Sequence, residues 1–154
     1  MPELEDTLRA QLLHSVSEAA CAVTGARAAS VALFDEPTGD LVFVATAGEG
    51  AEDVVGGHFP HDAGIAGQVL HTGEAIHATD LFRDPRWARD IGNETGYEPD
   101  AIIAVPVVWH DRVVGVLEVL DPDSSSMTCL ATLAAHAGAA LEVSATLVGE
   151  VRPV

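Results

Sequence analysis

Ala101–Asp121 reads AIIAVPVVWHDRVVGVLEVLD. It is two apolar runs split by one polar knot, His110-Asp111-Arg112. Val and Ile dominate both runs, and β-branched side chains favour extended backbone. A short polar break between such runs predicts a hairpin. Both runs are apolar at nearly every position, not at alternate ones. Strands of that kind are buried on both faces. The sheet that holds them therefore needs two covers, and the rest of the chain must supply both.

The chain has 154 residues, one domain's worth, and its 48% hydrophobic content is ample for a core. No apolar run approaches the roughly 18 residues of a membrane span. The N-terminal MPELEDTLRA is acidic and polar, unlike a secretory signal. A cytoplasmic protein is the expectation. The formal charge is −17, from 24 acidic against 7 basic residues, all seven of them Arg. Such a field repels nucleic acid and anionic membranes, so neither is an expected partner. Cys21 and Cys129 are too few for a disulfide framework and lie in no CxxC pair. They are expected to be small apolar packing residues.

From the N-terminus, Pro2–Thr24 predicts a helix, with Leu4, Leu8, Leu12, Val16 and Ala20 recurring every fourth residue, Leu13 and Val23 beside them, and Gly25 as its stop. Ala28–Phe34 and Leu41–Ala47 predict a hairpin around the turn residues 35–40. A short strand at His58–Pro60 follows a Gly-rich loop. Asp62–His71 (DAGIAGQVLH) predicts a short helix capped by Asp62, ended by Thr72-Gly73-Glu74. Ala75–Ala78 is a short strand. Thr79–Pro99 is a long polar loop, with Asp84-Pro85 starting a short helix through about Ile91. Loops this long in compact domains are usually functional or mobile. Pro106 predicts a bulge in the central hairpin. Met127–Val148 is the last helix, slim in Ala and Gly138, a face suited to a partner helix.

This order gives an α+β domain: antiparallel hairpins with the terminal helices on one face. The small helix and the long loop would cover the other face, where a pocket can form. We expect a single domain over 1–154, with an N-terminal helix to 24, sheet and pocket over 28–121, and a C-terminal helix over 124–150.

GIAGQVLHTGE (64–74), Asp80, Asp84-Pro85-Arg86, the TGY of 95–97 and IIAVPVVWHDRVVGVLEVLD together resemble a GAF domain. The resemblance covers about 25–141. It implies an antiparallel sheet of about six strands, a small-molecule pocket on one face, and helices that pair in dimers. It also implies a sensory or regulatory role, and with no effector fused within residues 1–154 the expected output is a separate partner protein. The family's particular chemistries do not carry over. The pocket cysteine of bilin-binding members and the loop cysteines of members that reduce free methionine sulfoxide are absent. GYEPDA has no His where haem-binding members carry one, and no NKFDE-type signature of cyclic-nucleotide binders is present. No cofactor is assigned, and no Ser-His-Asp set, P-loop or paired-carboxylate motif suggests an enzyme.

The candidate ligand-binding residues are Phe82, Arg83, Arg86, Trp87, Arg89, Thr95 and Tyr97 of the long loop, with His77 and Asp80 before it. Arg83, Arg86 and Arg89 fall within seven residues of a chain poor in cations. They either clamp an anionic ligand or pair locally with Asp80, Asp84 and Asp90. Phe82, Trp87 and Tyr97 either roof a planar ligand or dock the loop on the sheet. Resemblance places Tyr97 at the pocket wall. His58, His61, His71 and His77 lie within twenty residues, and imidazole at such density could hold a metal or haem. Neither spacing is a ligand motif, and no metal residue is assigned. Glu118 interrupts an apolar strand. A buried Glu needs a partner, either a ligand or Arg112; the plainer expectation is that its position opens to solvent near the sheet edge. Two further functions stand beside the sensor: a dimerisation module with a degenerate pocket, and a haem or metal sensor built on the histidines.

Overall fold

The computed structural model describes residues 2–50, 54–87, 98–123 and 127–148. Helix α1 spans Pro2–Thr24, followed by strands β1 (Ala28–Asp35), β2 (Asp40–Gly48) and β3 (His58–Pro60). Helix α2 (Gly64–Thr72) leads to β4 (Ile76–Thr79) and a 3-10 turn at Leu81–Arg83. The central hairpin is β5 (Ala101–Trp109) and β6 (Arg112–Leu120), and α3 (Met127–Val148) closes the described chain.

The six strands form one antiparallel sheet in the order β3-β2-β1-β6-β5-β4. The predicted hairpin turns on His110 and Asp111 alone, at φ 51° and 61°. Two consecutive left-handed residues match the right-handed twist of the flanking strands. The predicted bulge is present but displaced. Pro106 stays in register opposite Val116, and the shift falls between Val107 and Val108.

Both faces of the sheet are covered, as the unbroken apolar runs require. On one face, Val31, Val105, Val107, Leu117 and Val119 meet Leu13 and Ala20 of α1 and Leu130 and Ala137 of α3. On the other, Leu41, Phe43, Ile102 and Val116 meet Ile65 and Val69 of α2 and Leu81. The buried stripe of α1 is Leu13, Val16, Ser17, Ala20 and Thr24, which keeps Val16 and Ala20 of the expected row and Leu13 beside it. A helix turns every 3.6 residues, so the stripe advances in steps of three and four. The Ser17 and Thr24 hydroxyls in that stripe donate to the Leu13 and Ala20 carbonyls at 3.1 and 2.7 Å, which removes the cost of burying them.

Gly138 lets α3 sit close on the sheet. A Cβ there would lie 2.2 Å from the Val108 carbonyl oxygen. The slim helix packs against β5 at this point and against α1 beside it.

Candidate functional site

The pocket face carries one interruption in its apolar surface. Thr46, Ser30 and Glu118 are direct cross-strand partners on β2, β1 and β6, and form a polar row across the sheet. Side chains alternate along a strand, so Leu117 and Val119 enter the helix-side core while Glu118 faces the opposite way. The Ser30 hydroxyl donates to Glu118 Oε1 at 3.1 Å. Burial pushes the Glu118 carboxyl from 4.5 up to about 7, and the Ser30 hydrogen bond opposes that rise.

Glu118 and Ile102 floor a cavity of about 30 Å³, room for one or two waters. Phe43 and Phe59 form one wall, their ring centroids 5.0 Å apart. The start of α2, with Ile65 and Ala66, forms another, and Trp87 stands at the side of the long loop. Glu118 is the only ionisable group among the described lining residues. It does not sit at the sheet edge, since β6 is a central strand, and its partner is Ser30, not Arg112.

Two local devices hold the walls. Ala63 and not Asp62 occupies the N-cap of α2 and makes no side-chain bond, so the expected Asp62 cap does not form. The turn into it is tight instead: a Cβ on Gly67 would lie 2.6 Å from the Asp62 carbonyl carbon. Gly73, at φ 70°, ends the helix by donating to the Val69 carbonyl. At the root of the long loop, Leu81 is fully buried and its N–H donates to the Asp100 carbonyl at 3.0 Å. Asp121 Oδ1 accepts from the N–H groups of Asp100 and Ala101 at 2.8 and 3.0 Å.

Of the candidate ligand residues, Trp87 lines this cavity. Phe82 is 67% exposed, on the 3-10 turn. Arg83 is exposed and lies 3.8 Å from Asp80. Arg86 grips Asp84 through Nε and Nη2 at 3.0 and 2.7 Å, while Asp84 Oδ1 also accepts the Arg86 backbone N–H. That grip holds the Asp84 carboxyl down at about 2. The described arginines therefore make the local ion pairs, and neither lines the cavity. The residues after Asp84 begin as a turn, and most of the helix expected there lies outside the described residues. So do Arg89, Thr95 and Tyr97.

His77 is corrected outright. It pairs with Ile103, whose side chain belongs to the helix-side core, so His77 faces away from the cavity. The histidines do not converge. His58 lies 3.5 Å from Asp40, and His61 Nδ1 lies 2.8 Å from His71 Nε2 on the surface. Among the described residues no three His, Cys, Asp or Glu side chains gather as metal ligands. Cys21 and Cys129 both sit on the terminal helices, across the sheet from the cavity. Ser30, Phe43 and Phe59 were not singled out by sequence reasoning. Their signal was parity: each shares a strand face with pocket-side apolar residues, visible once the register is known.

Comparison with known proteins agrees with this architecture. The sequence pattern of the GAF domain matches residues 7–142. A probable 3',5'-cyclic phosphodiesterase of Caenorhabditis elegans is 30% identical over 96 residues, covering 62% of this chain and 13% of that protein. The chain thus spans a small part of the curated relatives it matches. The GAF domain of a phosphoenolpyruvate-protein phosphotransferase from Coxiella burnetii superposes with a TM-score of 0.77 at 23% identity, covering 88% of this chain and 83% of that one. Free methionine-R-sulfoxide reductase from Neisseria meningitidis superposes with a TM-score of 0.74 at 19% identity, covering 96% and 89%. With the family pattern running through most of its length and the six-stranded sheet in place, the chain belongs to the GAF domain family.

Proposed function

We propose that this chain is a non-catalytic small-molecule sensor, its ligand seated against the Glu118 row under α2 and Trp87. The observation that carries this reading is the polar floor itself. A half-buried carboxyl in an apolar face, held by one hydroxyl, costs stability unless something offsets it. The absence of both cysteines from the pocket side supports a binding role over thiol chemistry.

A route for the signal lies in β6. Leu117 and Val119 pack under α1 and α3, while Glu118 between them meets the cavity. A ligand that draws on Glu118 bears on the strand between the two residues that seat the helices. It shifts the equilibrium only by its differential affinity for two arrangements. We read residues 1–154 as one such domain, cytoplasmic, pairing through its terminal helices and acting on a separate signalling protein. No described helix is long and apolar enough to cross a membrane.

The test is a thermal-shift screen with cyclic nucleotides, amino acids, carboxylates and amines, followed by light scattering with and without each hit. A ligand that raises the melting temperature in the wild type and loses its effect in Trp87→Ala or Glu118→Gln is expected. A screen in which no class gives a shift refutes the sensor. A monomer at all concentrations, with or without the hit, refutes the helix-paired output.

A further inference from the structure

The sensor reading leaves the ligand class open, and the cavity narrows it. We propose that the ligand presents an alkylammonium head to this cavity, seated on the Glu118 carboxylate and walled by Phe43, Phe59 and Trp87. This inference rests on the sensor reading and adds the charge and shape of what is sensed.

Four observations converge on it. The first is the carboxylate's unused valence. Ser30 serves Oε1, and no other hydrogen bond to Glu118 is made by the described residues. Among them no polar side-chain atom is both buried and without a partner, so the second oxygen is accessible, on a residue that lines the void. An accessible acceptor beside a cavity calls for a donor. Secondly, the walls are aromatic. Three rings line the same cavity as the acid, and ring faces attract cations, more strongly where water is scarce. Thirdly, size fits a head group and not a whole ligand: about 30 Å³ admits an ammonium. Fourthly, the net charge of −17 draws cations toward the protein and turns anions away. An anionic head would meet Glu118 with no described arginine lining the cavity.

Burial gives the interaction a proton signature. The elements packed around Glu118 offer Ser30 from β1, Ala104 from β5, and Ile65 and Ala66 from α2. None of these is charged, and the carboxyl is lifted to about 7. At neutral pH the empty site is therefore partly protonated. An ammonium favours the carboxylate, so binding expels a proton and affinity rises from pH 6 to pH 8.

The experiment is calorimetry on the purified chain with benzylamine, benzyl alcohol and benzoate, probes of one shape and three charges. Benzylamine is expected to bind, to bind more tightly at pH 8 than at pH 6, and to lose about tenfold or more in affinity in Glu118→Gln. Repeating wild-type titrations in two buffers of different ionisation heat counts the protons released and needs no variant. Equal binding of benzyl alcohol, preference for benzoate, or benzylamine affinity that ignores both pH and Glu118→Gln overturns the ammonium assignment. If an anionic or neutral compound from the screen binds and depends on Trp87, the sensor reading survives and only this inference fails. If no compound of any charge binds, both fail.

Discussion

Replacing Glu118 by Gln should change how stability depends on pH. The carboxyl titrates at about 7 in the folded chain against 4.5 for an ordinary Glu. Between those values the folded state holds a proton that the unfolded state has released. Unfolding free energy therefore falls as pH rises through this window. At 1.36 kcal/mol per unit, titration from pH 5 to pH 8 removes about 2.5 kcal/mol, and water reaching the second oxygen trims this toward about 2. Against a total of about 5–15 kcal/mol for a domain, the effect is large. Urea denaturation at pH 5, 6, 7 and 8, for wild type and Glu118→Gln in parallel, measures it. The variant should gain on the wild type as pH rises, and the midpoints should separate by about 1 M urea. The other acidic groups act on both proteins alike, so the difference isolates Glu118. Two parallel curves would mean that the carboxyl is as well solvated folded as unfolded, and the buried polar floor would have to be abandoned.

Three further predictions concern the frame. Gly138→Ala should cost about 1–2 kcal/mol by equilibrium denaturation, because the approach of 2.2 Å to the Val108 carbonyl outweighs the roughly 1 kcal/mol that Ala gains in a helix; a stabilised variant would show that α3 lifts from β5 freely. Asp121→Ala should cost about 2 kcal/mol, since it removes the acceptor for two backbone N–H groups and leaves Ala at φ 50°. Asp121→Asn, which tolerates that φ and keeps one oxygen, should recover much of the loss, and equal losses would assign the effect elsewhere. The Asp84–Arg86 pair contributes stability above the ordinary carboxylate range that fades as pH falls from 3.8 toward about 2. Asp84→Asn should flatten that acid limb, and an unchanged acid transition would show that the pair is too well solvated to matter.

Much of the architecture was legible because its signals were local. The continuous apolar runs of 101–121 required a sheet covered twice, and the His110-Asp111 knot marked the turn. Gly25 and Gly73 marked helix ends through positive φ, at 66° and 70°. The site was harder to read because it is built from register. Glu118 looked like a strand residue near an edge, since position within a sheet depends on which distant strands pair. Only the β1–β6 ladder, which joins residues some ninety apart in sequence, brings Ser30 beside it and makes β6 central. The arginines offered two readings, an anion clamp or local ion pairs. Their clustering was plain, but nearby aspartates at offsets of two and three satisfied them first. His77 failed on parity alone, one residue from Ala78, which does reach the pocket side.

The bond from the Leu81 N–H to the Asp100 carbonyl has one more consequence. It clasps residues 81 and 100 together, anchored by a fully buried leucine on one side and by Asp121 on the other. With two ends pinned in this way, an insertion between them adds only slowly to the entropy lost on closure. An insertion there that keeps Trp87 against its core neighbours therefore leaves the carboxyl floor of the cavity in place.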